Sequence, residues 1–220
     1  MNEFEFPDPN LAPDNEPFVV GGELSTKMLL KAYKSGYFPW FMKGDPVLWW
    51  SPNPRAIFYP QDVKLHKSTK KYLSRYSVKF DHNFNDLINL CYEEREKEGL
   101  TWLTKDIVKA YSNLAKEGIA HSVEVYDDDK LIGGIYGLII GRVFCGESMI
   151  SIKTDASKVA LYTLAKALKP YGFIIDAQVI NPHLEFMGAI KMKRSEFINL
   201  YYKLINSKFD INFKELSTSN

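Results

Sequence analysis

The chain has 220 residues, 45% of them hydrophobic, 14% aromatic and 25% charged, a globular composition that excludes an intrinsically disordered protein. Its formal net charge is +1, so no global field marks a nucleic-acid binder and any such surface must be a local patch. Cys91 and Cys145 form no paired framework, Glu3 and Glu5 stand where a secretion signal would be basic and then apolar, and no apolar run approaches the ~20 residues of a membrane span; the reading is a cytoplasmic protein.

Nine of the eleven prolines fall at or before Pro60, so the first quarter cannot hold long uninterrupted elements. This predicts a small proline-rich N-terminal domain over 1–60. Within it Ser25-Thr26 caps a short helix through Leu29, Leu30 and Tyr33, which Gly36 ends. Between Val63 and Phe80 there is no acidic residue, and Lys64, Lys67, Lys70, Lys71 and Arg75 cluster there. Positions 67, 70, 71 and 75 fall on one face of a helix, which is either a solvated face or a phosphate-binding one. Helices are predicted from Phe84 to about Glu98 and from Lys105 to Lys116. Strands follow over Ala120–Tyr126, Lys130–Ile140 and Val143–Ile150 as an antiparallel meander. Thr154 or Asp155 then caps a helix with Leu161, Leu164, Ala165 and Leu168 on one stripe, stopped by Pro170 and Gly172. A final strand spans Phe173–Ile180, and its connection allows it to lie parallel to the third, bringing Glu147 near Asp176. The expected class is α+β, with a larger domain over 61–212 and a loose tail over 213–220.

The histidines at 66, 82, 121 and 183 match no zinc spacing, so no metal is assigned. Gly146-Glu147-Ser148-Met149-Ile150 lacks the second glycine of a nucleophile elbow, and no phosphate-binding or dinucleotide glycine fingerprint is present. More informative are Glu147, Asp176 and Gln178, polar groups in strands that read as buried. Unpaired burial would cost several kcal/mol, so they need partners or a ligand.

At this point the sequence resembles the leucyl/phenylalanyl-tRNA–protein transferases. The resemblance rests on Gly21-Gly22-Glu23-Leu24-Ser25, Gly36-Tyr37-Phe38-Pro39-Trp40-Phe41, Leu48-Trp49-Trp50-Ser51-Pro52-Asn53-Pro54-Arg55, Thr101-Trp102-Leu103-Thr104, His121-Ser122-Val123-Glu124-Val125, Gly133-Gly134-Ile135-Tyr136-Gly137, Phe144-Cys145-Gly146-Glu147-Ser148-Met149, Ala156-Ser157-Lys158 and Asp176-Ala177-Gln178, in family order. It implies an acetyltransferase-like (GNAT-like) mixed sheet with flanking helices after the small first domain. It also implies transfer of Leu, Phe and sometimes Met from aminoacyl-tRNA to proteins that begin with Arg or Lys, marking them for degradation, without metal or coenzyme; apart from the resemblance, a monomer is expected.

Carried over residue by residue, the resemblance makes Asp176, Gln178 and Glu147 the reaction residues. Gln178 orients the attacking amine, Asp176 fixes the direction of the Gln178 amide, and Glu147 meets the acceptor's basic side chain. Trp49 and Trp102 match positions linked to the terminal adenosine. Ile135, Leu161, Leu164, Leu168 and Ile175 match the pocket for the transferred side chain, with Phe144, Gly146 and Ser148 in the same floor. The basic segment would meet the acceptor stem. The sequence departs from the pattern at Leu100, which looks inserted, at Ala177, Ile150 and Ile152, and at Leu164 and Leu168, where bulkier aromatics are usual. An acetyl-coenzyme A enzyme of the same fold is the rival enzymatic reading, but no Gln/Arg-x-x-Gly-x-Gly/Ala loop precedes a helix. A non-catalytic tRNA-binding protein is the other rival, and it leaves residues 147, 176 and 178 without a use.

Overall fold

A computed structural model describes residues 4–97, 99, 102–208 and 212–216. The N-terminal module is loop-rich, as its prolines require. It holds strands β1 (Val19–Val20), β2 (Phe38–Pro39) and β3 (Leu48–Trp50), in spatial order β1-β3-β2, and helix α1 (Thr26–Lys34). Ser25 caps α1 by accepting from the Met28 N–H at 3.3 Å. Beyond the helix Gly36 takes φ +85°, the left-handed conformation that glycine adopts without strain.

The large sheet has seven strands in the order β10-β4-β9-β8-β7-β6-β5, with β4 at Arg55–Phe58, β5 at Ser77–Phe80, β6 at Ala120–Asp127, β7 at Lys130–Ile140, β8 at Val143–Ser151, β9 at Ile174–Gln178 and β10 at Ile190–Met192. Strands β6, β7 and β8 are the antiparallel meander. Strand β9 returns beside β8 as the one parallel pair. Helices α3 (Phe84–Lys97), α4 (Lys105–Lys116) and α7 (Arg194–Ile205) pack on one face. The crossover helix α5 (Ala156–Leu168) covers the other, with α2 (Lys67–Leu73) against it and α6 (Pro182–Met187) following β9. Both faces are therefore buried, which is why β7 and β8 read as apolar runs rather than alternating ones.

Several boundaries differ from the sequence reading. The expected domain limit at residue 60 lies beyond β4, yet β4 is hydrogen bonded to β9 and β10 in the large sheet, so the sheet takes in a strand from the proline-rich quarter. Strand β9 stops at Gln178 rather than Ile180, because Gln178 has φ +62° and leaves the extended conformation. The expected loose tail is anchored where it is described: Phe213–Glu215 form a 3-10 turn, with Phe213 buried against Phe80 at 5.2 Å between ring centroids. Residues 217–220, the end of the predicted helix at Glu98, the Leu100 insertion and Thr101 lie outside the described residues. No helix among the described residues is long and apolar enough to cross a membrane.

Candidate active site

The β8–β9 ladder runs from Val143↔Ile174 to Cys145↔Asp176 and ends there. Where it ends a cavity of about 390 Å³ opens. Its floor is Gly146, Glu147, Ser148 and Met149 of β8 with Ala177 and Gln178 of β9. Ile135, Leu161 and Ile175 supply an apolar wall, while Phe38, Pro39 and Trp40 of the N-terminal module face Trp102 across the mouth. Arg95, Asn181 and His183 add polar groups to the rim.

Both polar strands are irregular at the floor. Tyr136 pairs with Ser148 while Gly137 pairs with Gly146, so Glu147 is an extra residue in β8. Ala56 pairs with Gln178 while Ile57 pairs with Asp176, so Ala177 is an extra residue in β9. Such bulges re-aim side chains beside functional sites.

Asp176 is completely buried and held by Arg55 through two parallel bonds, Nε to Oδ1 at 2.8 Å and Nη2 to Oδ2 at 2.7 Å. The guanidinium lies between the rings of Phe38 and Phe197, 4.7 and 4.8 Å from their centroids. Burial works against the charge of Arg55, but the Asp176 carboxylate outweighs it and leaves the guanidinium above its ordinary pKa. Asp176 Oδ1 also accepts the backbone N–H of Gln178 at 3.0 Å, and the Gln178 side chain donates from Nε2 to Glu147 Oε1 at 3.0 Å. Thus Asp176 does act on Gln178, but through the backbone, not by binding its amide as expected from the sequence.

Glu147 is 9% exposed. The hydroxyl of Tyr33 from α1 donates to Oε1 at 2.6 Å and that of Tyr111 from α4 to Oε2 at 2.9 Å. Burial pushes its carboxyl up to about 7, opposed by those two hydrogen bonds. The result is a carboxyl that titrates near neutrality beside the cavity.

The structure separates the expected site residues. Glu147, Gln178, Trp102, Ile135, Leu161, Ile175, Gly146 and Ser148 all line the cavity, with Asp176 directly behind it. Four do not. Trp49 is fully buried, its indole N–H given to the Gly21 carbonyl at 2.9 Å; alternation along β3 turns it into the core. Phe144 lies on the same face of the sheet as Ile135, Leu161 and Ile175 but is fully buried, 6.5 Å from Phe213 between ring centroids, and Leu164 and Leu168 are fully buried on the α5 stripe. The aromatic on the cavity wall is instead Trp40, 38% exposed, with Trp50 at 5.1 Å. Lys64, Lys67, Lys70 and Lys71 are exposed on and before α2, which packs on α5. Arg75 lies beyond the end of α2 and is paired with Asp127 at 3.0 Å, apart from the expected helical face.

Arg55, Tyr33, Tyr111 and Trp40 were missed. Arg55 had a signal, a charge opening the apolar run Ala56–Phe58; the tyrosines sit on ordinary amphipathic helix stripes and had none. Among the described residues no cluster of His, Cys, Asp or Glu side chains is arranged to hold a metal ion.

Comparison with known proteins identifies the family. Residues 57–202 match the sequence model described as leucyl/phenylalanyl-tRNA protein transferase, and residues 22–53 match the N-terminal domain of the same family. The chain is 48% identical over 215 residues to the leucyl/phenylalanyl-tRNA–protein transferase of Shewanella baltica (strain OS195), covering 95% of this chain and 91% of that one. It is 46% identical over 208 residues to that of Campylobacter jejuni (strain RM1221), covering 94% of each. The protein is therefore an aminoacyltransferase with an α+β fold. The chain belongs to the leucyl/phenylalanyl-tRNA–protein transferase family.

Proposed function

We propose that the cavity holds the 3′ end of a leucyl- or phenylalanyl-tRNA against the N-terminal amine of a protein beginning with Arg or Lys, and that it forms the peptide bond without a covalent intermediate. The observation that carries this is the floor itself: an apolar wall of Ile135, Leu161 and Ile175 meets Glu147 and Gln178 where the ladder ends.

The aminoacyl ester is already activated, and alignment alone supplies about 7–11 kcal/mol in well-positioned reactions. Leu or Phe fills the apolar wall, which separates side chains by only about 1–3 kcal/mol per methylene and so grades its substrates. Trp40 and Trp102 replace the expected Trp49–Trp102 pair at the terminal adenosine, since base stacking needs an exposed ring face. Gln178 offers its amide oxygen to the amine; its Nε2 is engaged by Glu147, which fixes which way the amide points. An α-amine with a pKa of about 7.7–8.0 is partly neutral near neutrality. Its nitrogen attacks the ester carbonyl, the C–O bond to ribose breaks, and the proton lost from nitrogen ends on the departing ribose oxygen. Glu147 meets the acceptor's cationic first side chain at the floor, the chemistry a carboxylate suits.

The lysines on α2 would meet acceptor-stem phosphates, which position without reading sequence. A monomer in the cytoplasm suits this reading, and both cysteines are free and buried. Purified protein incubated with labelled Leu-tRNA and an Arg-starting peptide should yield Leu-Arg peptide. Failure to transfer Leu, Phe or Met to such a peptide, with tRNA bound normally, would reject the proposal.

A further inference from the structure

Four oxygens of three side chains meet beside the cavity floor in a ring that closes through the Glu147 carboxyl. Tyr33 Oη lies 2.6 Å from Glu147 Oε1, Tyr111 Oη lies 2.9 Å from Glu147 Oε2, and the two phenolic oxygens lie 2.6 Å from each other. Each contact is a hydrogen-bond distance and needs one proton. Two tyrosines bring two protons. With Glu147 ionised, three contacts share two protons, and one short oxygen–oxygen pair faces lone pair to lone pair. A third proton on Glu147 removes that conflict.

The position of this proton follows from Gln178. Its Nε2 donates to Oε1 at 3.0 Å, which makes Oε1 the carbonyl oxygen. With the third proton in place the Tyr111 contact reverses: Oε2–H donates to Tyr111, Tyr111 to Tyr33, and Tyr33 to Oε1, in one direction around the ring. Chains of this kind strengthen one another in a low-dielectric interior. Tyr33 and Tyr111 are both buried, 1% and 0% exposed.

We propose that Tyr33, Tyr111 and Glu147 form a closed three-proton ring that keeps Glu147 a neutral acid in the resting enzyme, and that docking of a cationic acceptor expels its third proton. The second half rests on the reading of Glu147 as the contact for a basic N-terminus. Tyr33 and Tyr111 are positioning residues: they set the pH at which the carboxyl ionises, and they touch no substrate. The ring explains how an apolar Leu or Phe side chain can enter a cavity floored by a carboxyl. The floor is uncharged until the acceptor supplies its counter-charge.

The surrounding groups are compatible with a neutral acid. Tyr136 from β7 and Cys145 from β8 face Glu147 as neutral groups, both pushed well above their ordinary pKa by burial. From β9 Asp176 opposes ionisation of Glu147, and from β4 Arg55 favours it, but these two are already paired with each other. Arg95 of α3 lines the same cavity. Burial of Glu147, the largest influence on it, holds its carboxyl at about 7, so that a docking cation is enough to tip it.

The test is infrared difference spectroscopy of the free protein, wild type minus Glu147→Gln, through a pH range reaching about two units either side of neutrality. A carboxylic-acid carbonyl band should be present at the acid end and disappear near neutrality. Tyr33→Phe and Tyr111→Phe keep the ring shapes, but each breaks the closed ring and removes the lone-pair conflict of the ionised form, so each should move the midpoint to lower pH. Absence of the acid band below neutrality, or midpoints unchanged or raised in both variants, as two ordinary donors to a carboxylate would give, overturns the ring. Titration with an Arg-starting peptide should then shift the wild-type midpoint down and release up to about half a proton per peptide bound at neutrality, where a carboxyl with its midpoint at about 7 is half protonated. Binding without proton release overturns the expulsion step. A peptide that fails to bind at all rejects the acceptor reading, while the free-protein spectra decide the ring.

Discussion

Replacing Arg55 by Met removes one partner of a fully buried ion pair and leaves the Asp176 carboxylate without its two charge-assisted bonds. Such losses cost about 3–5 kcal/mol, far more than the pair contributes when both members are replaced by apolar groups. Here the cost should lie in the upper part of that range. Asp176 is 0% exposed, no water can take the place of the guanidinium without entering between Phe38 and Phe197, and the thioether of Met fills most of the volume, so cavity formation adds little. Urea unfolding at neutral pH is the assay, with the slope m unchanged if only the folded state is affected. The double variant Arg55→Met with Asp176→Leu should recover much of the loss, since the stranded charge is gone. A loss below about 1 kcal/mol for the single variant would refute the reasoning, because that is the behaviour of a solvated pair. A double variant as unstable as the single one would assign the cost to packing instead of charge.

Trp40→Ala should weaken aminoacyl-tRNA use by about 1–3 kcal/mol, a rise in KM of about 5-fold to 150-fold, with stability nearly unchanged. Trp49→Ala should do the reverse, costing about 3–5 kcal/mol of stability as a buried aromatic does; thermal unfolding and transfer kinetics on both variants separate the two. The shift of Glu147 from 4.5 to about 7 means that the folded state holds a proton the unfolded state has lost. Stability should therefore be greatest below the unfolded value and fall by about 3 kcal/mol as pH rises through about 7, a slope that Glu147→Gln should flatten in urea titrations. Changing Lys67, Lys70 and Lys71 to Ala should reduce the slope of log binding constant against log salt by about 2–3 if all three contact phosphates; an unchanged slope would return α2 to a solvated face.

The sheet was legible because its strands are apolar and its turns are marked. Asp127-Asp128-Asp129 and Gly141-Arg142 fixed the meander, and the capped stripe of α5 forced the return of β9 beside β8, bringing Glu147 to Gln178. Three things escaped. Strand β4 is only four residues long and preceded by Pro52 and Pro54, so nothing local distinguishes it from the loops around it. The adjacent pair Trp49-Trp50 places one ring inside and one outside, and composition does not say which. The bulges at Glu147 and Ala177 are register events between strands, invisible in any one segment. Phe144, Leu164 and Leu168 failed for a related reason: a helix stripe or strand face covers more depth than the cavity does.

The central claim is that alignment of the amine by Gln178, on a bend locked by Arg55 and Asp176, is what makes this cavity a transferase. Gln178→Asn tests it most directly. Asn tolerates the left-handed backbone at this position but is one methylene too short to hold the Glu147 contact and the amine together. In single-turnover transfer of labelled Leu from Leu-tRNA to an Arg-starting peptide, the rate should fall about a hundredfold, the loss that a misplacement of about 1 Å brings, with tRNA affinity and unfolding midpoint unchanged. A variant that transfers at the wild-type rate would contradict the account.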